Sequence, residues 1–154
     1  MAEGKSQFSM GAFAMIFDEA GRILLCHRTD IDIWNLPGGR MEYGEAPWET
    51  VVREVKEEVG LTVGVEKLIG VYSKKNENDI VYQFLCRVIS GTALSADHES
   101  DQVGYFHLDE FPLNTNQKQK QRIQLYLENP TVIQMVDQTN VINSKDYLTQ
   151  LGNY

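Results

Sequence analysis

Residues 53–60 read REVKEEVG, an arginine and three glutamates within six positions, closed by a glycine. Anionic, oxygen-only ligands are the set that hard divalent cations such as Mg²⁺ and Mn²⁺ select. Carboxylates act together only if they share a face, and a helix provides one because residues three and four apart lie side by side. Glu54, Glu57 and Glu58 have that spacing. Like charges at i, i+4 disfavour a helix by about 0.2–0.5 kcal/mol per pair, and only Arg53 and Lys56 stand nearby to offset them. Just upstream, LPGGRMEYGE at 36–45 contains a Pro-Gly-Gly turn, where no Cβ obstructs close approach of the backbone. A carbonyl from that turn is one more hard oxygen donor beside the carboxylates.

The elements that must position these groups follow from the surrounding pattern. A helix over 47–59 has suitable ends, with Pro47 at its first position and Gly60 just past its last. Ala46 is a poor N-cap. At about 100° per residue, Trp48, Val51, Val52, Val55 and Val59 gather into a core-facing stripe. The three glutamates form the neighbouring stripe, with Arg53 on its flank. Strands are predicted at 8–17 and 22–28, joined by the turn at 18–21 as a hairpin, then at 61–73, 79–90 and 103–108. Residues 29–46 read as loop with a short strand, 74–78 as a polar turn, 96–102 as loop and 116–129 as a second helix. The tail over 131–154 is uneven, and VINSKDYLTQ reads equally as strand, helix or neither. No repeat, low-complexity tract or linker interrupts the chain. The reading is one α+β domain over 1–154.

At 154 residues the chain is long enough to bury a core without disulfides or a structural metal. Its net charge of −8, from 22 acids against 14 bases, argues against a nucleic-acid module held by phosphate contacts. It does not exclude a phosphorylated substrate, provided that something else carries the positive charge. No apolar run is long enough to span a membrane, and the first residues carry no secretory h-region. Cys26 and Cys86 sit in apolar runs and read as buried thiols in a reducing cytoplasm.

GRMEYGEAPWETVVREVKEEVGL (39–61) resembles the signature of the Nudix hydrolases: Gly, five residues, Glu, seven residues, Arg-Glu, apolar, any, Glu-Glu, any, Gly, apolar. Gly39, Glu45, Arg53, Glu54, Val55, Glu57, Glu58, Gly60 and Leu61 fill it without a departure. The flanking IWNLPG and HESDQVGYFHLDEFP also look like the family's usual surroundings. The resemblance implies an α/β/α sandwich with a mixed sheet between helices. It implies a Mg²⁺- or Mn²⁺-dependent pyrophosphohydrolase that cleaves a phosphoanhydride bond by water attack. The substrate would be a nucleoside diphosphate linked to another group, such as a nucleoside triphosphate or ADP-ribose. By the same resemblance Glu57 and Glu58 are direct metal ligands, Glu54 faces the metals, and the Gly39 carbonyl adds an oxygen. Arg53 orients a glutamate through a charge-assisted hydrogen bond, and Glu45 supports the loop–helix junction. Glu99 is the first choice for general base or extra ligand, Asp97 and Asp101 are its substitutes, and Glu54 is the alternative base. Two other readings are an enzyme acting on RNA 5′ ends, which would want a basic groove, and a non-catalytic nucleotide-sensing module, whose box glutamates are usually lost.

Weaker expectations attach to single residues. Arg28, at a strand end, either holds a phosphate or is simply solvated. Trp34 stacks on a base or packs beneath its loop. Tyr72, Lys74 and Lys75 could rim a ligand site. His27, His98 and His107 lack zinc-site spacing. Lys118, Lys120 and Arg122 read as the solvated face of the second helix. The short chain favours a simple nucleotide, and relatives suggest a homodimer.

Overall fold

The computed structural model describes residues 7–94 and 100–152. At its centre β1 (Ser9–Met15) lies between β4 (Gly38–Arg40), to which it is antiparallel, and β6 (Asp79–Ser90), to which it is parallel. β5 (Thr62–Lys74) returns antiparallel to β6, and β8 (Gln134–Asp137) adds in parallel at the far edge. The result is a mixed five-stranded sheet in the order β4-β1-β6-β5-β8. A second, three-stranded antiparallel sheet has the order β3 (Trp34–Asn35), β2 (Ile23–Arg28), β7 (Ser100–Phe106).

Alternation along β1 decides what lies on each face of the large sheet. Ala12 and Ala14 point to one side, where Val51, Val55 and Val59 of α1 (Pro47–Val59) pack on them with Phe84. Phe13 and Met15 point to the other, toward Ile123 of α2 (Gln117–Glu128). Each fully buried valine of α1 contributes on the order of 1.5–3 kcal/mol. The arrangement is thus a mixed sheet between helices, as expected. Trp48 departs from the predicted stripe: it is 59% exposed.

The turn at 18–21 forms as read, with Asp18 accepting from the Ala20 and Arg22 amides. The strands it joins do not make a regular hairpin. β1 already has both edges bonded, to β4 and β6, so β2 meets the chain before it only at the Phe17–Ile23 bridge and then diverges into the other sheet. In the tail, Asn143 caps α3 (Ser144–Gln150) by accepting from the Asp146 amide, and this settles the ambiguous stretch as helix. Cys26 and Cys86 are both buried and unbridged. Among the described residues no helix is long and apolar enough to cross a membrane.

Candidate active site

Both ends of α1 are fixed locally. Glu49 accepts from the Ala46 amide at 3.0 Å, making up for the missing N-cap side chain, and Gly60 closes the helix at φ 75. Between these ends the acidic stripe turns toward β4. Glu58 is buried in the gap between β2 and β4, within 3.4 Å of the Gly38 amide and 3.6 Å of the Cys26 thiol, both donating to it. Burial, then the hydrogen-bonded Glu54 beside it, pushes the Glu58 pKa up to about 9. Glu54 is also buried and raised, chiefly by desolvation. A Cβ on Gly39 would fall 2.6–2.9 Å from the Glu54 carboxyl group, so the backbone approaches that carboxylate as closely as only glycine permits. Gly39→Ala is therefore expected to displace Glu54 and lower kcat/KM by about 10²-fold with an unchanged circular dichroism spectrum.

Arg53 ties the acids together. It donates through Nε to Glu45 at 2.6 Å, through Nη2 to Glu45 at 2.9 Å, and through Nη1 to Glu54 at 2.9 Å and Glu57 at 3.3 Å. A further bond from Nη2 to the Arg40 carbonyl, at 3.1 Å, fastens β4 to the helix. Glu45 also accepts from Thr50 and from the Glu42 amide. Its pKa is held down to about 2, first by the Arg53 hydrogen bond. Glu57 remains the exposed member, turned to Arg53 rather than to Glu54 and Glu58. Among the described residues no three acidic, histidine or cysteine side chains are already gathered as a closed chelate. The site is instead a buried pair of carboxyls, an exposed third one held by Arg53, and a glycine backbone.

Glu58, Gly38 and Gly39 line a cleft of about 540 Å³ whose walls come from the large sheet, α2 and the segment 26–36. Its walls collect Arg28, Arg40, Lys74, Lys118 and Arg122, against Asp30 and Asp79. This is the positive charge that the overall balance of −8 left to be found. Asp79 is buried, and accepts from Ser9 and Arg40, each at 2.6 Å. Burial opposes its ionisation, but these bonds prevail and hold its pKa below 3.8. A carboxylate so lowered stabilises the fold above its unfolded pKa, and that contribution disappears as pH falls through the folded value. Thermal melts from pH 6 to 3 are thus expected to show less acid destabilisation in Asp79→Asn than in the wild type.

The remaining expected site residues separate. Arg28 lines the cleft with its guanidinium paired to Asp30. Trp34 is not in the cleft wall. It packs against His27 and Phe106, with ring centroids 5.3 and 5.4 Å away, in keeping with the packing alternative. Tyr72 is 2% exposed beneath the Arg122 guanidinium rather than on a rim. Lys74 does line the cleft, whereas Lys75 pairs with Asp137 outside it. Asp97 and Glu99 lie outside the described residues. Lys118 and Arg122 are a correction: they are buried on the cleft side of α2, not solvated. The available signal was their i, i+4 spacing beside the Gln119–Ile123–Tyr126 stripe.

Comparison with known proteins adds to this geometry. The chain is 32% identical over 116 residues to the putative 8-oxo-dGTP diphosphatase of Bacillus subtilis (strain 168), covering 75% of this chain and 78% of that protein. It is 36% identical over 104 residues to the ADP-ribose pyrophosphatase of Methanocaldococcus jannaschii, covering 63% of this chain and 61% of that one. Among solved structures, an ADP-ribose pyrophosphatase from Streptococcus suis 89-1591 superposes with TM-score 0.70 at 28% identity, over 85% of this chain and 100% of that chain. A UDP-X diphosphatase superposes with TM-score 0.75 at 26% identity, over 88% and 70%. The family model described as the NUDIX domain matches residues 7–126, from β1 through most of α2. The acidic helix face and its glycine turn are therefore the signature of a known family, and this chain belongs to the Nudix hydrolases.

Proposed function

We propose that this Nudix hydrolase cleaves a phosphoanhydride bond in a nucleoside diphosphate linked to a further phosphoryl or sugar group, and that it uses a divalent cation held by Glu54, Glu57, Glu58 and the Gly39 carbonyl. The observation that carries the reading is the Glu54–Glu58 pair, whose carboxyls are confined together against a glycine backbone, with Glu58 lining a basic cleft. Two buried acids side by side favour a proton or a cation between them, and an all-oxygen donor set fits Mg²⁺ or Mn²⁺. Nudix hydrolases generally use such ions. When bound, the ion supplies charge neutralisation of the diphosphate and a more acidic water.

The chain's own residues do the rest. Arg28, Arg40 and Lys74 draw the polyanionic substrate into the cleft and offset its charge. Arg53 fixes the Glu54 carboxylate, the alternative acceptor for the proton of the attacking water. Glu99, outside the described residues, is the competing base that the resemblance implies, and the pH–rate profiles of Glu54→Gln and Glu99→Gln separate the two. The names of the relatives support nucleotide derivatives as the substrate class. A panel of nucleoside triphosphates, ADP-ribose, nucleotide sugars and dinucleoside polyphosphates, with Mg²⁺ or Mn²⁺, tests the reading through released phosphate, pyrophosphate and mononucleotide. Turnover of at least one class is expected. No product from any of them would overturn it.

A further inference from the structure

Arg122 is 4% exposed, and its Nη1 atom has no hydrogen-bond partner. Its Nε donates to Gln138 at 3.0 Å, which fixes the guanidinium in place. Its Cζ lies 5.8 Å from the Phe13 ring centroid and 5.1 Å from that of Tyr72, so the group is clamped on apolar faces, and the residue lines the cleft. One helical turn earlier Lys118, 8% exposed, lines the same cleft. The ion pairs of this region join Arg40 and Lys74 to Asp79 and Arg28 to Asp30. None of these ion pairs includes Arg122 or Lys118, on which Asp79 acts only at longer range while it is held by Ser9 and Arg40. An unpaired polar edge on a buried cation is costly, and a second buried cation beside it adds repulsion. The arrangement mirrors the acidic stripe with the sign reversed, and what relieves it is an anion.

Position sets which anion. Phe13 belongs to β1 and Tyr72 to β5, with β6 between them. The guanidinium therefore stands over β6, two strand spacings, or about 10 Å measured across the sheet alone, from the β4 backbone where Gly38 and Gly39 meet Glu58 and Glu54. That is farther than adjacent phosphates of one anhydride span. We propose that Arg122 and Lys118 form a phosphate subsite in the cleft, which takes a phosphoryl group of the nucleotide remote from the bond that is hydrolysed. The proposal rests on the nucleotide-hydrolase reading and deepens it: the preferred substrate carries phosphoryl charge beyond its scissile anhydride. Arg122 is then a specificity-determining residue.

Inorganic phosphate is the probe, added to the full chain in chelator at constant ionic strength. The wild-type Tm is expected to rise with phosphate, and Arg122→Met, which keeps the apolar stem between the two rings, is expected to lose most of that shift. Arg122→Lys should retain part of it. On the best substrate of the panel, Arg122→Met is expected to raise KM about tenfold with kcat within about threefold, as loss of a remote, uniform binding contact requires. Should Arg122→Met fail to fold, Lys118→Met reads the same subsite. Equal phosphate shifts in wild type and variant, or an unchanged KM, would overturn the subsite while leaving the hydrolase intact. Absence of any hydrolysis would overturn the hydrolase reading, whereas the phosphate shift in chelator judges the subsite separately.

Discussion

Glu58→Gln is expected to lower kcat/KM by about 10³-fold while leaving the fold in place and raising the Tm of the metal-free protein. The first effect follows from the proposed role. Charge stabilisation by a bound ion is worth several kcal/mol, and each 1.36 kcal/mol is a factor of ten in rate. The second follows from the environment of the side chain. Its folded pKa lies near 9, above the ordinary 4.5, first because of burial and then because of Glu54. An acid whose pKa rises on folding disfavours the folded state increasingly as pH climbs from the unfolded value to the folded one. Glutamine keeps the shape and an acceptor for the Gly38 amide without that cost. Activity assays beside thermal melts at pH 7 in chelator check both halves. A simple structural glutamate would show the reverse, with Tm falling and activity following it.

Arg53→Ala is the complementary case. It removes the donor that compensates Glu45, Glu54 and Glu57 together. Breaking a fully buried pair costs roughly 3–5 kcal/mol. Because 23% of the Arg53 side chain is exposed, solvent screening reduces this to about 2–3 kcal/mol, or roughly 5–10 °C in Tm for a domain of this size. The deficit should be largest at neutral pH and shrink toward pH 4, where the freed acids protonate. Added Mg²⁺ should recover part of it. Lysine should not substitute, since one ammonium cannot reproduce the fork that spans Glu45 and reaches Glu54. Melts of wild type, Arg53→Ala and Arg53→Lys between pH 4 and 8, with and without Mg²⁺, check the set.

The parts of this molecule that could be read from its sequence are those set by local rules. The box helix needs only Pro47, Gly60 and the 3.6-residue stripe of Val51, Val55 and Val59, and its acidic face follows from the same spacing. The close approach of Gly39 to Glu54 was foreshadowed by the Pro-Gly-Gly turn. What was not legible depends on partners distant in the chain. The stretches 8–17 and 22–28 look like a hairpin, but β1 takes its edges from β4 and β6, tens of residues away. Trp34 found its neighbours, His27 and Phe106, across the smaller sheet. Lys118 and Arg122 carry the composition of a solvated face and are instead buried, Arg122 against β1, β5 and Gln138. A cation becomes a candidate site residue only when the fold buries it, and no single-sequence pattern states that burial.

The account's central claim is that Glu54, Glu57, Glu58 and the Gly39 carbonyl together hold the ion on which hydrolysis depends. Titrating Mn²⁺ into metal-free wild type and into Glu58→Gln, with bound manganese read by electron paramagnetic resonance and turnover measured in the same samples, tests it most directly. The predicted result is saturable binding in the wild type that activity follows point by point, weakened at least tenfold in the variant. Undiminished hydrolysis in chelator, or equal Mn²⁺ affinity in both proteins, would contradict it.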